Sequence, residues 1–408
     1  MIERDAAYVL LTDGPPLNEG GHGCSVLASN WLRAMKARVR LVVTHRLLPQ
    51  VELSWISEAS PAPVVFYPDL SRFHWAAHFG RLKSLVELGL FWLASRRVAK
   101  AIKATSAERM FAFFGGNAWF LLTVKIMARR TGLPLDVYLV DDLEESCRLN
   151  GQSFLARFAR WLEPRVLRRA NRVFVISPGF ADHLRAKYGI HALWLPIPFR
   201  EEKVVYQPFV PRSPDIREIV FFGAVNDLYV GALRDFLGVV TEWNDEGNPS
   251  KIKLLIMSYA EPDFVARQLS GMKNWELLYR RSTDECRRIM RDSWAVFLPY
   301  SFKESVRVMV GTSFPSRLSE CMTSGRPLLV YGPPYATLPR YFLANGLPVC
   351  VQSRPELKAA FRTIEQVDSS GLIAKYQAVL NRYHSREAIA GRMAESVSAA
   401  TTERHERL

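Results

Sequence analysis

The chain is a succession of short, continuously apolar, β-rich runs separated by helical stretches, broken once by a charged, proline-rich segment. Before the break the runs are AYVLLT (7–12), VRLVVT (39–44), PVVFY (63–67), RMFAFF (109–114), LDVYLV (135–140), RVFVIS (172–177) and ALWLPI (192–197). Gly23–Met35, Leu82–Lys103 and Phe154–Leu162 read as helices between them. A strand with one wet face alternates apolar and polar residues, whereas a strand covered on both faces is apolar throughout. These runs are of the second kind, so they predict parallel sheets sandwiched between helices. The break, REEKVVYQPFVPRSPDIRE (200–218), has the composition of a linker. The alternation then resumes with IVFFG (219–223), IKLLIM (252–257), WELLY (275–279), WAVFLPY (294–300), PLLVY (327–331) and LPVCV (347–351), and from about Pro355 only helical patterns remain.

The expected fold class is therefore α/β, with two doubly wound Rossmann-like domains facing across a cleft and a helical C-terminal tail. The boundaries expected are 1–199 for the N-terminal domain, 200–217 for the linker, 218–354 for the C-terminal domain and 355–408 for the tail, packing back on the N-terminal domain. In such domains ligands bind beyond the carboxyl ends of the strands.

A length of 408 residues, 49% of them hydrophobic, is enough for two large cores and excludes a mainly disordered chain. The five cysteines, Cys24, Cys147, Cys286, Cys321 and Cys350, are an odd number without C-x-x-C spacing. That argues against a disulfide framework or zinc site and suits a reducing cytoplasm. The opening apolar run is too short for a signal peptide and lacks a basic lead-in. The best candidate span, Met110 to Val124, contains Gly115, Gly116 and Asn117 and falls short of the ~20 apolar residues a bilayer needs. The net charge of +14 is uneven: through Phe199 there are 26 Lys and Arg against 16 Asp and Glu. Such an excess points to a polyanionic partner: nucleic acid, an anionic membrane or a phosphorylated ligand.

No P-loop motif is present. GGHGCS (20–25) opens a helix after the first strand, as a dinucleotide fingerprint does, but lacks the third glycine and the acid after the second strand. Gly20 and Gly21 would let a ligand approach the backbone; a plain strand–helix turn explains them equally. VDDLEE (140–145) places Asp141, Asp142, Glu144 and Glu145 after a strand. Four acids there could hold Mg²⁺, but helix N-termini also favour acids, which is the preferred account of Glu144 and Glu145. Asp141 is the better candidate for facing the cleft. Two basic stretches carry apolar stripes: 81–103, with Phe91 and Trp92, and 154–172, with Phe154, Leu155, Phe158, Trp161 and Leu162 among arginines up to Arg172. Each reads either as a surface for an anionic bilayer or as a core helix with solvated arginines.

FPSRLSECMTSGRPLLVYGPP (314–334) describes a short helix, with Pro315 in its first turn, that stops at Gly325 and runs into an apolar strand. Leu318, Cys321 and Met322 share one face; Ser316, Glu320 and Thr323 share the other. Glu320 thus stands on a polar face beside the carboxyl end of a strand. Taken alone, it and Arg317 make an ordinary i,i+3 pair.

This segment resembles the nucleotide-binding signature of retaining glycosyltransferases of the two-Rossmann, GT-B type (glycosyl transferases group 1). VFVISPGFADHLRAKYGIHALWLPIP (173–198) resembles the end of that family's N-terminal domain, EIVFFGAVND (218–227) the opening of its C-terminal domain, and DECRRIMRDSWAVFLPY (284–300) the stretch before its signature. The resemblance implies that Glu320 accepts hydrogen bonds from the donor ribose and that the helix N-terminus faces the donor diphosphate. It implies donor contacts from Gly20, Gly21, Gly223, Arg307, Thr312, Ser313, Phe314 and Ser316, with Asp141 and Arg317 as the catalytic candidates. The chain departs from the family pattern in four places. Thr312 stands where the family has a second glutamate, GAVND lacks the usual Arg and Lys that hold the diphosphate, Arg317 replaces the signature lysine, and Asp141 replaces a cleft histidine. Arg307 and Lys303 are the basic residues at hand to compensate.

The implied activity is transfer of a sugar, with retention, from a nucleotide-diphosphate-sugar donor to a glycan or polyprenyl-linked acceptor, in bacterial surface polysaccharide synthesis. VDDLEE lacks the D-x-D spacing typical of single-domain metal-dependent glycosyltransferases, and basic and helix-terminal groups are available for the leaving diphosphate, so no metal is expected, nor any cofactor beyond the donor substrate. The expected location is cytoplasmic, peripheral on the anionic inner face of the plasma membrane. The alternatives are a GT-B-fold nucleotide-sugar epimerase or hydrolase, and a non-enzymatic basic nucleic-acid-binding protein. The last is disfavoured because the aromatics are not interleaved with basic residues as a stacking surface requires, and no nucleic-acid partner is expected.

Overall fold

The structure is a computed structural model. It describes residues 6–14, 23–35, 38–44, 62–66, 80–198 and 215–394, with the backbone alone over 23–26 and 80–91. The chain divides into two compact units. One comprises Met1–Pro198 with Arg386–Leu408, the other Phe199–Ser385.

The first unit is built on a seven-stranded sheet in the order β3-β2-β1-β4-β5-β6-β7. Its strands are β1 (Tyr8–Thr12), β2 (Val39–Thr44), β3 (Val64–Phe66), β4 (Arg109–Phe114), β5 (Leu135–Leu139), β6 (Arg172–Val175) and β7 (Leu193–Trp194). All neighbours pair in parallel. β1, β4 and β5 are buried at every position, which is the physical reason their sequences do not alternate. Trp31, from the helix Gly23–Ala34, packs on Phe111 and Tyr138 of the sheet at ring-centroid distances of 5.3 and 5.1 Å.

The second unit repeats the plan with six parallel strands, ordered β10-β9-β8-β11-β12-β13. These are β8 (Ile216–Phe222), β9 (Lys251–Ser258), β10 (Trp275–Tyr279), β11 (Ala295–Pro299), β12 (Leu328–Tyr331) and β13 (Cys350–Val351). Phe236 of the helix Val230–Asp245 stacks on Phe297 of β11 at 4.2 Å and meets Phe361 of the helix Arg354–Gln366 edge-on. In each sheet the order reverses at the first strand, between β1 and β4 and between β8 and β11. That is the switch point beside which open α/β sheets bind ligands.

Several elements differ from the sequence expectation. β7 and β13 keep only two residues of the runs 192–197 and 347–351. Each is an edge strand, and Pro196 and Pro198 cannot extend β7 because they lack the N–H a ladder needs. β8 begins at Ile216, inside the segment read as linker; residues 199–214 lie outside the described residues. The 154–162 helix runs from Ser153 to Leu167, with Pro164 inside it. The tail is divided: residues 355–385 stay with the second unit, and the chain from Arg386 joins the first.

A buried ion cluster shows why the returning segment docks on the first unit. Asp136 of β5 is fully buried and takes hydrogen bonds from Arg109 Nε (3.1 Å) and Nη2 (2.9 Å) and from Arg172 Nε (3.0 Å) and Nη2. Arg172 Nη1 donates to the Met393 carbonyl (2.9 Å), so the same guanidinium ties the C-terminal helical residues to the sheet. Contrary to both readings of 154–172, Arg172 is therefore neither solvated nor membrane-facing; it is 6% exposed. The stripe itself is split. Leu155 and Leu162 are buried, while Phe154 and Trp161 are 70% and 52% exposed.

Candidate active site

At the switch point of the first sheet, Asp13 follows β1, Gly115 follows β4 and Asp141 closes β5. The Asp13 carboxylate accepts the backbone N–H groups of Gly115 (2.7 Å) and Asn117 (3.1 Å), holding the two central strand ends together. Asp141 stands next to this loop. Removal from bulk water, then the charges of Asp142 and Asp13, push its carboxyl up to about 6. An acid so placed exchanges its proton near neutrality and can position a hydroxyl in either form.

Asp142 has a different job. Its side chain caps the helix Leu143–Leu149 through the Glu145 N–H (2.8 Å) and pairs with His183 Nε2 and Lys187 Nζ, both at 2.8 Å. Although burial opposes ionisation, the partners His183 and Lys187 hold it down to about 2. Glu144 pairs with Lys187 (3.0 Å) and Glu145 with Arg148, as acids of a helix first turn. Among the described residues no three His, Cys, Asp or Glu side chains form a metal-holding group.

Beneath this cap lies Glu163, fully buried, with Oε2 accepting the Tyr188 hydroxyl at 2.9 Å and Oε1 unbonded. Burial, helped by Asp142, pushes it up to about 8 from an ordinary 4.5. The folded protein thus keeps a proton that the unfolded chain releases near pH 4.5. Glu163's contribution to stability is fully present below that pH and declines until the pH passes about 8. Glu163→Gln, which stays neutral, is expected to flatten the fall of unfolding free energy between pH 5 and 8. Urea denaturation of both proteins across that range checks it, and parallel slopes would mean that Glu163 is ionised in the fold.

In the second unit the described side chains gather at the carboxyl edge of β8, β11 and β12. The helix of the signature is shorter than its sequence suggests. It spans Leu318–Thr323, and Pro315 lies ahead of it, in a turn closed by Leu318 N–H to the Pro315 carbonyl (3.1 Å). Leu318, Cys321 and Met322 are buried, which turns Glu320 to the opposite, half-buried face. Gly325 adopts φ 68°, the left-handed value that stops the helix. The Glu320 carboxylate lies between two guanidiniums, Arg317 Nη1 on Oε2 (3.1 Å) and Arg287 Nη2 near Oε1 (3.6 Å). Arg317 in turn lies over the Phe222 ring, 3.9 Å from its centroid, at the end of β8.

The remaining candidates divide. Gly223 follows Phe222, and a Cβ there would meet the Phe221 ring at 3.0 Å, so close packing alone accounts for the glycine. Arg307 pairs with Glu304 (3.2 Å) and covers Tyr335 in the loop after β12. Lys303 reaches Asp227 of the GAVND loop (3.6 Å), at the opening of the helix Val230–Asp245. Thr312 is 2% exposed and its hydroxyl turns back onto the Val308 carbonyl (2.9 Å), so it offers the second glutamate's position no free polar group. Ser313 is buried, Ser316 half-buried, and Phe314 packs against Tyr341 and the buried His384. Gly20 and Gly21 lie outside the described residues. Asp13, Phe222 and Arg287 are site residues that the sequence reading missed. Each depends on a partner at least 33 positions away or on the end of another strand, so no local pattern announces it.

Three comparisons bear on this geometry. Residues 23–198 match the family model described as "Glycosyl transferase 4-like domain". No curated protein matches the sequence. Among solved structures, the lipopolysaccharide outer core galactosyltransferase WaaB, in its apo form, is similar at 12% identity and a TM-score of 0.59, over 96% of this chain and 99% of that one. A point mutant of S. aureus TarM, in complex with fondaparinux, alpha-GlcNAc-glycerol and UDP, is similar at 9% identity and a TM-score of 0.63, again over 96% and 99%. A trehalose-6-phosphate protein from E. coli, bound with UDP-2-fluoro glucose, is similar at 10% identity and a TM-score of 0.56, over 97% and 99%. At these identities the structures carry the fold, and the family match carries the class of enzyme. Residues 23–198 are thus similar to a glycosyl transferase 4-like domain, and the chain is a glycosyltransferase enzyme with the GT-B fold.

Proposed function

We propose that the enzyme transfers a sugar from a nucleotide-diphosphate-sugar donor, held at the carboxyl edge of the second sheet, to a glycan or polyprenyl-linked acceptor, with retention, in surface polysaccharide synthesis. The observation that carries this is the Glu320 carboxylate held between Arg317 and Arg287 beside the end of β8. A carboxylate is an acceptor suited to the paired hydroxyls of a ribose. Guanidiniums fit phosphate oxygens with two parallel donors. In this reading Arg317, with Arg287 and Lys303, takes up the charge that develops on the departing diphosphate. Asp141 positions the acceptor hydroxyl. The TarM structure with alpha-GlcNAc-glycerol and UDP and the E. coli structure with UDP-2-fluoro glucose support a nucleotide-sugar donor by analogy of fold.

Asp142 is committed to His183 and Lys187, so metal-independent transfer is the expected outcome. The experiment is turnover in excess chelator, with the anomeric coupling of the product read by NMR. Activity rescued only by Mg²⁺ or Mn²⁺ would restore a metal role for Asp141 and Asp142. An inverted product would make Asp141 a general base. Consumption of the sugar nucleotide without acceptor would favour an epimerase or hydrolase.

Peripheral attachment to anionic membranes is part of the proposal. Among the described residues no helix is long and apolar enough to cross a bilayer. Trp92 and Leu93 are 47% and 53% exposed, and Arg96 and Arg130 lie over the Trp92 ring at 3.6 and 5.1 Å. Phe91 carries the same expectation but is a position of which only the backbone is described. Each basic residue near such a surface contributes about 1 kcal/mol, fading within a Debye length. Flotation with anionic liposomes is expected to recover the protein at low salt and lose it at high salt. Equal recovery with neutral lipid would remove the electrostatic part.

A further inference from the structure

The amino-end edge of the first sheet holds a cavity of about 350 Å³ that the transfer reaction does not use. Its wall is formed by the C-terminal parts of the helices Phe120–Thr131 and Ser153–Leu167 and by the segment leading into β5. Lys125, Arg129 and Arg169 line it, with Asn171 as a neutral member and no carboxylate among the lining residues. None of the three cations is paired with a carboxylate among the described residues, whereas Lys187 and Arg172 elsewhere in this unit each have acids against them. Helix C-termini favour cations, which accounts for Arg129 in the last turn of its helix. That does not account for Lys125, which lies mid-helix and is partly buried among like charges. Its ammonium is pushed below the ordinary lysine range by burial and by Arg169, Arg129 and Arg165. A cavity lined by three cations, two of them exposed arginines, with no carboxylate in its lining is complementary to a compact multivalent anion, whose oxygens only accept hydrogen bonds. One lining residue, Lys125, also reaches a tryptophan that is not part of the lining. Trp161 is half exposed, with Lys125 and Arg165 over its ring at 5.6 and 4.5 Å. An exposed tryptophan flanked by cations suits a membrane–water interface.

We propose that this cavity is a binding site for a phosphomonoester group, held by Lys125, Arg129 and Arg169. The site lies at the sheet edge opposite the strand ends that carry Asp13 and Asp141. It is therefore separate from the acceptor position proposed above at Asp141. The phosphomonoester could come from a soluble phosphorylated ligand or from a lipid headgroup, and the experiment separates the two.

Inorganic phosphate is titrated calorimetrically into the full-length protein, into Lys125→Gln/Arg169→Gln, and into Arg317→Gln as a control for phosphate binding at the donor position. A saturable site weakened at least ten-fold in the double variant and unchanged in Arg317→Gln supports the proposal. In parallel, flotation compares vesicles carrying phosphatidate, a phosphomonoester, with vesicles carrying phosphatidylglycerol, a diester, at matched surface charge. A preference for phosphatidate of several-fold that disappears in the double variant assigns the group to a lipid. No preference, with inorganic phosphate still bound through these residues, assigns it to a soluble ligand. If the double variant binds phosphate as tightly as the wild type and shows the same vesicle preference, the proposal is overturned. Sugar-nucleotide turnover measured on the same preparations reports separately on the transferase reading and on folding.

Discussion

Replacing Asp136 by alanine is expected to lower the stability of the first unit by about 3–5 kcal/mol, the usual cost of leaving a buried charge without its partner. Both oxygens are engaged by Arg109 and Arg172, and the side chain is fully buried. Removing the carboxylate strands two guanidiniums in the sheet. Asp136→Asn, which keeps one acceptor oxygen, should cost less. Because Arg172 also holds the Met393 carbonyl, amide exchange in residues 386–394 should quicken before the sheet itself opens. Denaturant titration and hydrogen exchange on the full chain measure both effects. A loss below about 1 kcal/mol in the alanine variant would show that water or rearrangement compensates the arginines, and that the cluster does not anchor the returning segment.

Glu320→Gln is expected to weaken binding of the preferred nucleoside diphosphate by about 1–3 kcal/mol, the range for losing a charge-assisted hydrogen bond. That is about five-fold to somewhat over a hundred-fold in Kd. The structure makes the test sharper than an affinity alone, because Glu320 also holds Arg317 and Arg287 in place. If the carboxylate accepts from the ribose, a dideoxy nucleotide should already lack the interaction, and the substitution should cost little more. Were the glutamine variant to lose the same amount with both nucleotides, the carboxylate would serve only to position the arginines. Unchanged affinity in a folded variant would leave Arg317 and Glu320 as an ordinary helical ion pair.

Thr312 and Arg287 show how the two sources of information divide in the second unit. Spacing singles out Thr312, eight positions before Glu320, yet spacing is blind to where a hydroxyl points. That hydroxyl is spent on its own helix. Arg287 has no motif of its own, lying on a helix next to the buried Cys286. Packing of that helix places its guanidinium near Glu320, 33 positions on. The same limit applies to the acids of VDDLEE. Their common place after β5 is legible, but which one is spent depends on His183 and Lys187 arriving from another helix.

The sequence by itself determined the α/β class, the two parallel sheets and most strand positions. Burial on both faces forces a strand to be apolar at every residue, and that is a local, readable constraint. It also placed Glu320 on the polar face of its helix, because a period of 3.6 residues and a glycine stop are local as well. Only the tertiary structure decided the rest. It decided that Arg172 is a buried anchor rather than a surface charge, that Phe154 and Trp161 face outward while Leu155 and Leu162 face in, and that Lys125, Arg129 and Arg169 share one cavity. The physical reason is that a charge is defined by what lies across from it. Those partners are brought together by packing between elements far apart in the chain, about which local periodicity carries no information.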